Sequence, residues 1–281
     1  MAIVAYDGLS GSGKSTFVGM LGESARAYGQ NCLIISENRE DPLRNMTAAL
    51  ARTLLQEHRP LEDVIREFVP RTDVQLVAVN EAYTYSTSWS GRAREQAFLA
   101  YLFAYGRRHV EWEIRRQEPD YDLIILDRNQ VTGWAYQSDL PDYGWQEIRS
   151  LNADFGIRLP DIQIFLSCPV NQIGPRRELR QKLATGTAGL MSGNKARQQE
   201  ILEVFRVIYP ALQAEGHACN WFENQGSPSA EMADQVAQAT LVFVDIAEWL
   251  AKKGVKLTKL PLSYWTAPEV LERLWRQQTL R

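Results

Sequence analysis

Five short apolar runs are spread along the chain, and longer stretches with helical spacing of apolar residues lie between them. The runs cover residues 2–6, 32–36, 123–126, 162–166 and, more weakly, 220–222. Strands that are covered on both faces, as in a parallel sheet, need continuous apolar runs of this kind. The pattern therefore predicts the α/β class, with a central parallel sheet, flanking helices and right-handed crossovers.

The segments between the runs predict the helices. Amphipathic periodicity covers residues 15–28, 46–56, 93–117, 143–155 and 198–214. A longer helix is predicted over 229–252, and a last helix opens at 266–269, where Pro268 suits a first turn. Residues 57–92 do not fit the alternation and are interpreted as an insertion. We expect one domain over residues 1–247 and a helical extension over 248–281.

Charge and composition narrow the class of protein. The 281 residues include 31 Lys and Arg against 34 Asp and Glu, which gives a formal net charge of −3. This balance argues against a polybasic nucleic-acid-binding protein and against an acidic disordered tail. Apolar residues make up 45% of the chain and charged residues 23%, as in globular proteins. We expect a folded protein without a nucleic-acid partner.

Cysteine usage and the N-terminus indicate the compartment. Cys32, Cys168 and Cys219 are three widely spaced residues without a C-x-x-C motif. An odd, scattered set favours reduced thiols over a disulfide framework or a zinc site. Residues 1–7 lack a basic stretch, and no apolar run approaches the roughly 18 residues of a membrane span. These features predict a cytoplasmic protein with no membrane partner.

Residues 8–15 read G-L-S-G-S-G-K-S and fit the phosphate-loop pattern G-x-x-x-x-G-K-[ST]. The loop directly follows the first predicted strand and opens the first predicted helix, as its chemistry requires. Backbone N–H groups and the helix N-terminus attract phosphate, Lys14 reaches the β- and γ-phosphates, and the Ser15 hydroxyl binds Mg²⁺. The pattern predicts that a nucleoside triphosphate binds through Gly8, Ser10, Gly11, Ser12, Gly13, Lys14, Ser15 and Thr16.

An acid and a cation follow the third strand. Asp127 ends the run of residues 123–126, and Arg128 comes next. A carboxylate at this end of a buried strand lies near the phosphate loop and can hold Mg²⁺. The guanine-reading N-K-x-D of GTPases is missing, since Asn194-Lys195 is followed by Ala196-Arg197. A small kinase needs little beyond an acceptor pocket and a mobile basic lid, because phosphoryl transfer depends mainly on positioning and charge.

Four segments resemble the thymidylate kinase family. Residues 127–137, D-R-N-Q-V-T-G-W-A-Y-Q, resemble the family's D-R-Y-x-x-S-S-x-A-Y-Q segment. Residues 102–110 are similar to its L-F-A-A-x-R-x-x-H helix, and residues 159–166 to its L-P-D-L-T-I-x-L strand. Asp41-Pro42 with Arg52 is similar to the element that follows its second strand. The resemblance implies a three-layer P-loop kinase fold with a mobile basic lid, ATP and Mg²⁺ as cofactors, a nucleoside monophosphate as acceptor, and a homodimer.

The resemblance also implies roles for individual side chains toward the acceptor. Phe103 would stack on the base, and Arg107 and Gln137 would bond its two edges. Arg128 and Arg52 would clamp the 5′-phosphate, and Asp41 would orient them. An aromatic face for a base and arginine forks for phosphate agree with the chemistry of these groups. The segment 176–197 resembles the lid, in which Arg176 and Arg180 would join Lys14 and Arg128 as catalytic cations.

Departures from the family pattern leave other interpretations open. Ser10 replaces an acid of the family's loop, Asn129 replaces an aromatic residue, and Gly133 replaces a serine. One alternative is a deoxynucleoside or modified-base hydroxyl kinase, in which Glu37 would be the base that a neutral hydroxyl needs. Another is a non-catalytic ATP-binding switch or adaptor. It draws on these departures and on the lysines of the extension, which are Lys252, Lys253, Lys256 and Lys259.

Overall fold

The computed structural model of the chain describes residues 1–36, 73–138, 143–183, 195–226, 229 and 231–279. Several sequence predictions lie outside these residues. They are the helix over 46–56, most of the insertion, residues 184–194 of the lid, Glu37, Asp41 and Arg52.

All five predicted strands are present, and each has helical neighbours along the chain. The elements are, in order, β1 (Ala2–Asp7), α1 (Lys14–Ala27), β2 (Cys32–Ser36), α2 (Asp73–Ser86), α3 (Gly91–Gln117), β3 (Leu123–Asp127), α4 (Gln130–Gln137), α5 (Trp145–Asp154), β4 (Ile162–Ser167), α6 (Val170–Leu183), α7 (Lys195–Ala214), β5 (Ala218–Glu223), α8 (Met232–Lys252), α9 (Leu262–Trp265) and α10 (Pro268–Thr279). Among the described helices, none combines the length and apolarity that a membrane crossing needs.

The strands form one parallel sheet in the order β2-β3-β1-β4-β5, with β1 in the middle. Tyr6 of β1 is in register with Asp127 of β3, and Asp7 is in register with Phe165 of β4. β2 and β3 lie on one side of β1, and β4 and β5 lie on the other, so the strand order reverses at β1. Open α/β sheets bind ligands in the crevice beyond the carboxyl ends of the strands at such a point. The α/β prediction is confirmed, and the register brings Asp7 and Asp127 to this edge.

The chain divides into two compact units. The first contains the described residues within 1–36, 116–128 and 160–281, and so holds the whole sheet. The second contains those within 37–115 and 129–159, which form α2, most of α3, α4 and α5.

The first unit covers its sheet on both faces. On one face α1 and α8 pack on alternate strand residues in a core that includes Tyr6, Phe17 and Ile164, and α10 packs on these two helices. On the other face, Phe165 of β4 packs against Phe205 and Tyr209 of α7 and stacks on Trp221 of β5. The alternation follows from the two-residue period of strands, and helix, sheet and helix form three layers.

The C-terminal segment shares the core of the first unit. Helix α8 runs through the predicted boundary between residues 247 and 248, and Leu250, Trp265 and Leu274 belong to the same apolar cluster as the strands. The Tyr264 hydroxyl donates to Glu23 of α1 at 2.7 Å, and Arg273 donates to the same carboxylate at 3.1 Å. The last helices therefore pack on the helix that follows the phosphate loop.

Trp265→Ala tests how much this segment contributes to folding. Trp265 is 1% exposed, packs edge-on against Phe243, and donates its indole N–H to the Leu260 carbonyl at 3.2 Å. We expect the substitution to lower the free energy of unfolding by about 3–5 kcal/mol, as for other buried tryptophans. Trp112 is exposed and serves as the matched control. We expect Trp112→Ala to change the free energy of unfolding by less than about 0.5 kcal/mol. Urea unfolding gives the free energy of unfolding of both variants. Equally small changes in the two variants would contradict the buried packing of Trp265.

The second unit contains two helices that the sequence pattern does not predict. Helix α2 lies in the predicted insertion, and α4 follows β3 directly. Asn129 caps α4, since its side-chain oxygen accepts from the Val131 N–H at 2.8 Å. Ring contacts join the other helices of the unit, as Tyr85 of α2 packs on Tyr101 of α3, and Tyr101 packs on Phe155 after α5.

Candidate active site

The phosphate loop occupies residues 8–13, between β1 and α1, at the carboxyl edge of the sheet. Gly8 has φ +139°, and a Cβ there would lie 1.9 Å from the Leu166 carbonyl oxygen of β4. Gly13 has φ +95° directly before the helix. Both positions require glycine, because other residues rarely adopt these angles and no side chain fits against a backbone at that distance. The loop geometry therefore depends on the glycines of the motif.

Lys14 is the first residue of α1, and its ammonium group turns back into the loop. Its Nζ donates to the Gly8 carbonyl at 3.0 Å and to the Leu9 carbonyl at 2.6 Å. The side chain is only 5% exposed. A positive charge and the N-terminus of a 14-residue helix are thus placed together at the loop. This arrangement suits an anion.

Ser15 and Asp127 form the second part of the site. The Ser15 hydroxyl donates to Asp127 Oδ2 at 3.1 Å, although the two residues are 112 positions apart. Asp127 is 4% exposed at the end of β3. A hydroxyl and a carboxylate are hard oxygen donors, and Mg²⁺ is usually held by one or two carboxylates together with substrate phosphates. The pair fits Mg²⁺. The described residues contain no group of three or more His, Cys, Asp or Glu that would form a larger metal centre.

A second buried carboxylate lies at the end of β1. Asp7 is fully buried, and its Oδ2 accepts from Gln163 Nε2 of β4 at 2.9 Å. Burying a carboxylate without such donors is costly, so Gln163 supports the charge beside the loop. The sequence does not mark Gln163 as a site residue, because it stands inside a strand run and differs from the threonine that the family strand has at this place.

Arg128 has a strained backbone. It has φ +77°, and it is the one non-glycine residue with positive φ among the described residues. Its N–H donates to the Tyr6 carbonyl of β1 at 3.0 Å, which helps to hold this conformation. Left-handed backbone costs an L-residue about 1–2 kcal/mol, and such strain concentrates at functional sites. The strain is an independent reason to regard Arg128 as functional.

Arg176 of α6 lies against the phosphate loop. Its guanidinium donates to the Gly11 carbonyl at 3.2 Å, to Gln172 Oε1 at 2.9 Å, and to the carbonyls of Asn224 and Gly226 after β5. Burial lowers the pKa of Arg176 from its ordinary value. Arg180 follows one turn later on the same helix. A predicted lid cation is thus located at the loop, and its catalytic role stays a prediction.

Three residues predicted to bind the acceptor lie in the second unit. Phe103 precedes Arg107 by one turn of α3, and the Arg107 guanidinium lies 5.7 Å from the centroid of the Phe103 ring. Gly133 of α4 lies against the same guanidinium, since a Cβ there would come within 2.4 Å of its nitrogens. Arg107 and Gln137 are each 4% exposed. The glycine that departs from the family pattern therefore makes room for Arg107.

The three thiols are buried, with exposures of 8% for Cys32, 1% for Cys168 and 6% for Cys219. Burial raises the pKa of Cys32 and of Cys219 to about 11 and also raises the pKa of Cys168. Because the thiolate is the reactive form, we expect slow reaction with an aromatic disulfide reagent at pH 8, and three thiols per chain once denaturant is added. Raising the pH from 8 to 9 should accelerate this slow native reaction about tenfold, because the thiolate fraction of a thiol with a pKa of about 11 rises about tenfold per pH unit in this range. One fast-reacting thiol in the native protein would contradict this prediction.

Comparison with known proteins points to one family. A profile of the family described as thymidylate kinase matches residues 85–236, more than half of the chain. Thymidylate kinase from Candida albicans aligns at 17% identity over 92% of this chain and 95% of its own, with a TM-score of 0.50. Thymidylate kinase from Ehrlichia chaffeensis aligns at 17% identity over 89% of this chain and 98% of its own, with a TM-score of 0.48. No curated protein sequence matches the chain. At this identity, the likeness to the Candida albicans protein concerns the fold.

Proposed function

The chain belongs to the thymidylate kinase family and is a nucleotide kinase, and from this premise we propose that it transfers the γ-phosphoryl group of ATP to a (deoxy)nucleoside monophosphate. The products are ADP and a nucleoside diphosphate. The observation that carries the proposal is the pairing of Ser15 with Asp127 at 3.1 Å beside the phosphate loop and Lys14. This set of groups suits a triphosphate with its metal ion.

The donor is bound by the loop amides and Lys14. When a triphosphate enters, the ammonium of Lys14 exchanges the Gly8 and Leu9 carbonyls for phosphate oxygens, which carry more charge. Ser15 and Asp127 would hold Mg²⁺, which would neutralise part of the charge of the triphosphate. Asp127 is fixed in place because β3 is hydrogen-bonded on both sides, to β1 and to β2.

The acceptor roles in this proposal are those that the family resemblance implies. In this proposal Arg128 and Arg52 grip the acceptor phosphate, and Asp41 orients these two arginines. The base is bound by Phe103, Arg107 and Gln137. The attacking oxygen belongs to a phosphate that is already anionic, so the reaction needs no strong general base. The work of the protein is to align two phosphates and to neutralise their charge, which the arginine forks do well.

The remaining family features are part of the same proposal. Arg176 and Arg180 would supply cations to the transition state from the lid segment 176–197. A homodimer and a cytoplasmic location follow from the family resemblance and the sequence, and both belong to this proposal.

A coupled assay of ADP release tests the function. The full chain is incubated with Mg-ATP and, one at a time, ribo- and deoxynucleoside monophosphates of each base. We expect saturable ADP release with at least one monophosphate, above the rate without acceptor. The corresponding nucleosides are assayed in parallel, and Lys14→Met protein prepared identically controls for contaminating kinases. ADP release with nucleosides alone, or with no acceptor at all, would overturn the proposal.

A further inference from the structure

Asn224 bridges the phosphate loop and the segment that follows β5. It is 7% exposed and directly follows the last residue of β5. Its Nδ2 donates to the Ser12 carbonyl at 3.0 Å, and its Oδ1 accepts from the Gly226 N–H at 3.2 Å. Both ends of the amide are therefore satisfied, and this fixes which end faces the loop. The bond to Ser12 joins residues that are 212 positions apart in the sequence.

The backbone of Asn224 is itself held firmly. Its N–H donates to the Ser167 carbonyl of β4 at 2.8 Å, which extends the sheet pairing by one residue. Trp221 donates its indole N–H to the Ser167 hydroxyl at 3.1 Å. Arg176 donates to the Asn224 carbonyl at 3.3 Å and to the loop carbonyl of Gly11 at 3.2 Å. The Asn224 side chain thus extends to the loop from a rigid support.

The bond to Ser12 has a consequence for the next N–H group. In a trans peptide the carbonyl and the following N–H point in opposite directions. With the Ser12 carbonyl directed at Asn224, the Gly13 N–H is directed away from Asn224. Gly13 is the last residue before α1, where loop N–H groups converge on a bound phosphate. Its φ of +95° is a conformation that glycine can leave easily, so an external constraint matters here.

The contact also explains why Gly13 has no side chain. A Cβ at this position would lie 2.9 Å from Asn224 Nδ2, closer than carbon atoms approach such a group. Asn224 and Gly13 therefore occupy adjoining space. The sequence motif requires glycine at position 13, and the structure adds that the glycine makes room for the amide.

We propose that Asn224 is a positioning residue for the triphosphate, holding the Ser12–Gly13 peptide with its N–H turned toward the phosphates. The proposal rests on the proposed function, because it assumes that the loop binds a triphosphate. Asparagine suits the role because its amide donates to Ser12 and accepts from Gly226 at once. An aspartate has the same shape, but its carboxylate oxygen would face the Ser12 carbonyl, and two acceptors repel each other. It would also add negative charge near the phosphates.

Asn224→Asp is the main variant, and Asn224→Ala is the second in case the first does not fold. Gln225→Ala is the matched control, since Gln225 is the exposed neighbour that bonds Glu223. Calorimetry of the full chain gives Kd for two ligands, Mg-ATP and inorganic tripolyphosphate, which has no base. Thermal unfolding is recorded for each variant, and binding is measured well below the melting temperature.

We expect both Asn224 variants to bind tripolyphosphate and Mg-ATP about tenfold or more weakly than the parent, as for loss of a charge-assisted contact. In the kinase assay the KM for ATP should rise while the KM for the acceptor stays unchanged. Gln225→Ala should match the parent in calorimetry, in thermal unfolding and in the kinase assay. A purely structural role would instead lower the melting temperature without changing either Kd, and that result would overturn the proposal.

The parent protein separates this inference from the proposed function. If the parent binds tripolyphosphate and phosphorylates no monophosphate, the proposed function fails, and the Asn224 variants still decide the role of Asn224. If the parent binds neither tripolyphosphate nor Mg-ATP, both fail. Unchanged affinity in a folded Asn224→Ala variant overturns the inference alone.

Discussion

Lys14→Met lowers kcat/KM for phosphoryl transfer by about 10²–10³-fold, the loss expected when one preorganised donor to a developing charge is removed. The Lys14 ammonium lies 2.6 Å from the Leu9 carbonyl and 3.0 Å from that of Gly8, at the N-terminus of α1. No other lysine lies in the loop sequence of residues 8–15. Methionine keeps the length of the side chain and removes the charge. We expect the KM for ATP to rise and kcat to fall together.

The control is Lys252→Met, which removes an exposed lysine at the end of α8. This variant should keep the parent's kcat/KM. Steady-state rates at several ATP concentrations, with Tm recorded for each variant, separate loss of chemistry from loss of fold. Parent-like kcat/KM in a folded Lys14→Met variant would exclude the phosphate loop from catalysis.

Arg128→Gly raises the free energy of unfolding by about 1 kcal/mol and at the same time lowers activity. The stability gain follows from the positive φ of Arg128, 77°, which glycine adopts without the steric cost that an L-residue bears. The activity loss follows from removal of the fork that grips the acceptor phosphate. We expect a loss of roughly 1.5–3 kcal/mol in kcat/KM, about ten- to 150-fold.

Arg128→Lys separates charge from geometry. It keeps the positive charge and the strained backbone but loses the bidentate fork, so activity should fall while stability stays near that of the parent. ATP affinity should change little in either variant, since Lys14 and the loop amides bind the donor. If Arg128→Gly lowers stability and weakens Mg-ATP binding together, Arg128 is a structural residue beside Asp127. That result would contradict the proposal that Arg128 binds the acceptor phosphate.

The central strands β1, β3 and β4 could be predicted from the sequence because they are buried on both faces. Val4 and Ile125 belong to runs that are apolar at every position, the run of Ile164 is interrupted only by Gln163, and no helix surface needs such runs. Helix α4 was not predicted for a related reason. Polar Gln130 and Thr132 are buried beside Trp134, so the helix has no polar face and no one-sided periodicity. Its signal was instead the cap at Asn129.

The site was predictable only where local motif chemistry defines it. Gly8, Lys14 and Ser15 follow from the spacing of one continuous motif, and Asp127 follows from its place after a buried run. Gln163 and Asn224 act through bonds to residues more than 150 positions away. Neither residue type nor spacing marks such contacts in a single sequence. The register of β4 against β1 and of β5 against β4 creates them, and register becomes visible only in the folded chain.

The transfer of a labelled phosphoryl group tests the kinase activity most directly. The full chain is incubated with γ-³²P-ATP, Mg²⁺ and the monophosphate that gives the highest rate of ADP release, and the products are separated by chromatography. We expect the label in the β-phosphate of a nucleoside diphosphate, and we expect it to be absent with the Lys14→Met variant. Label found only in inorganic phosphate, or in the 5′-phosphate formed from an added nucleoside, would contradict this expectation.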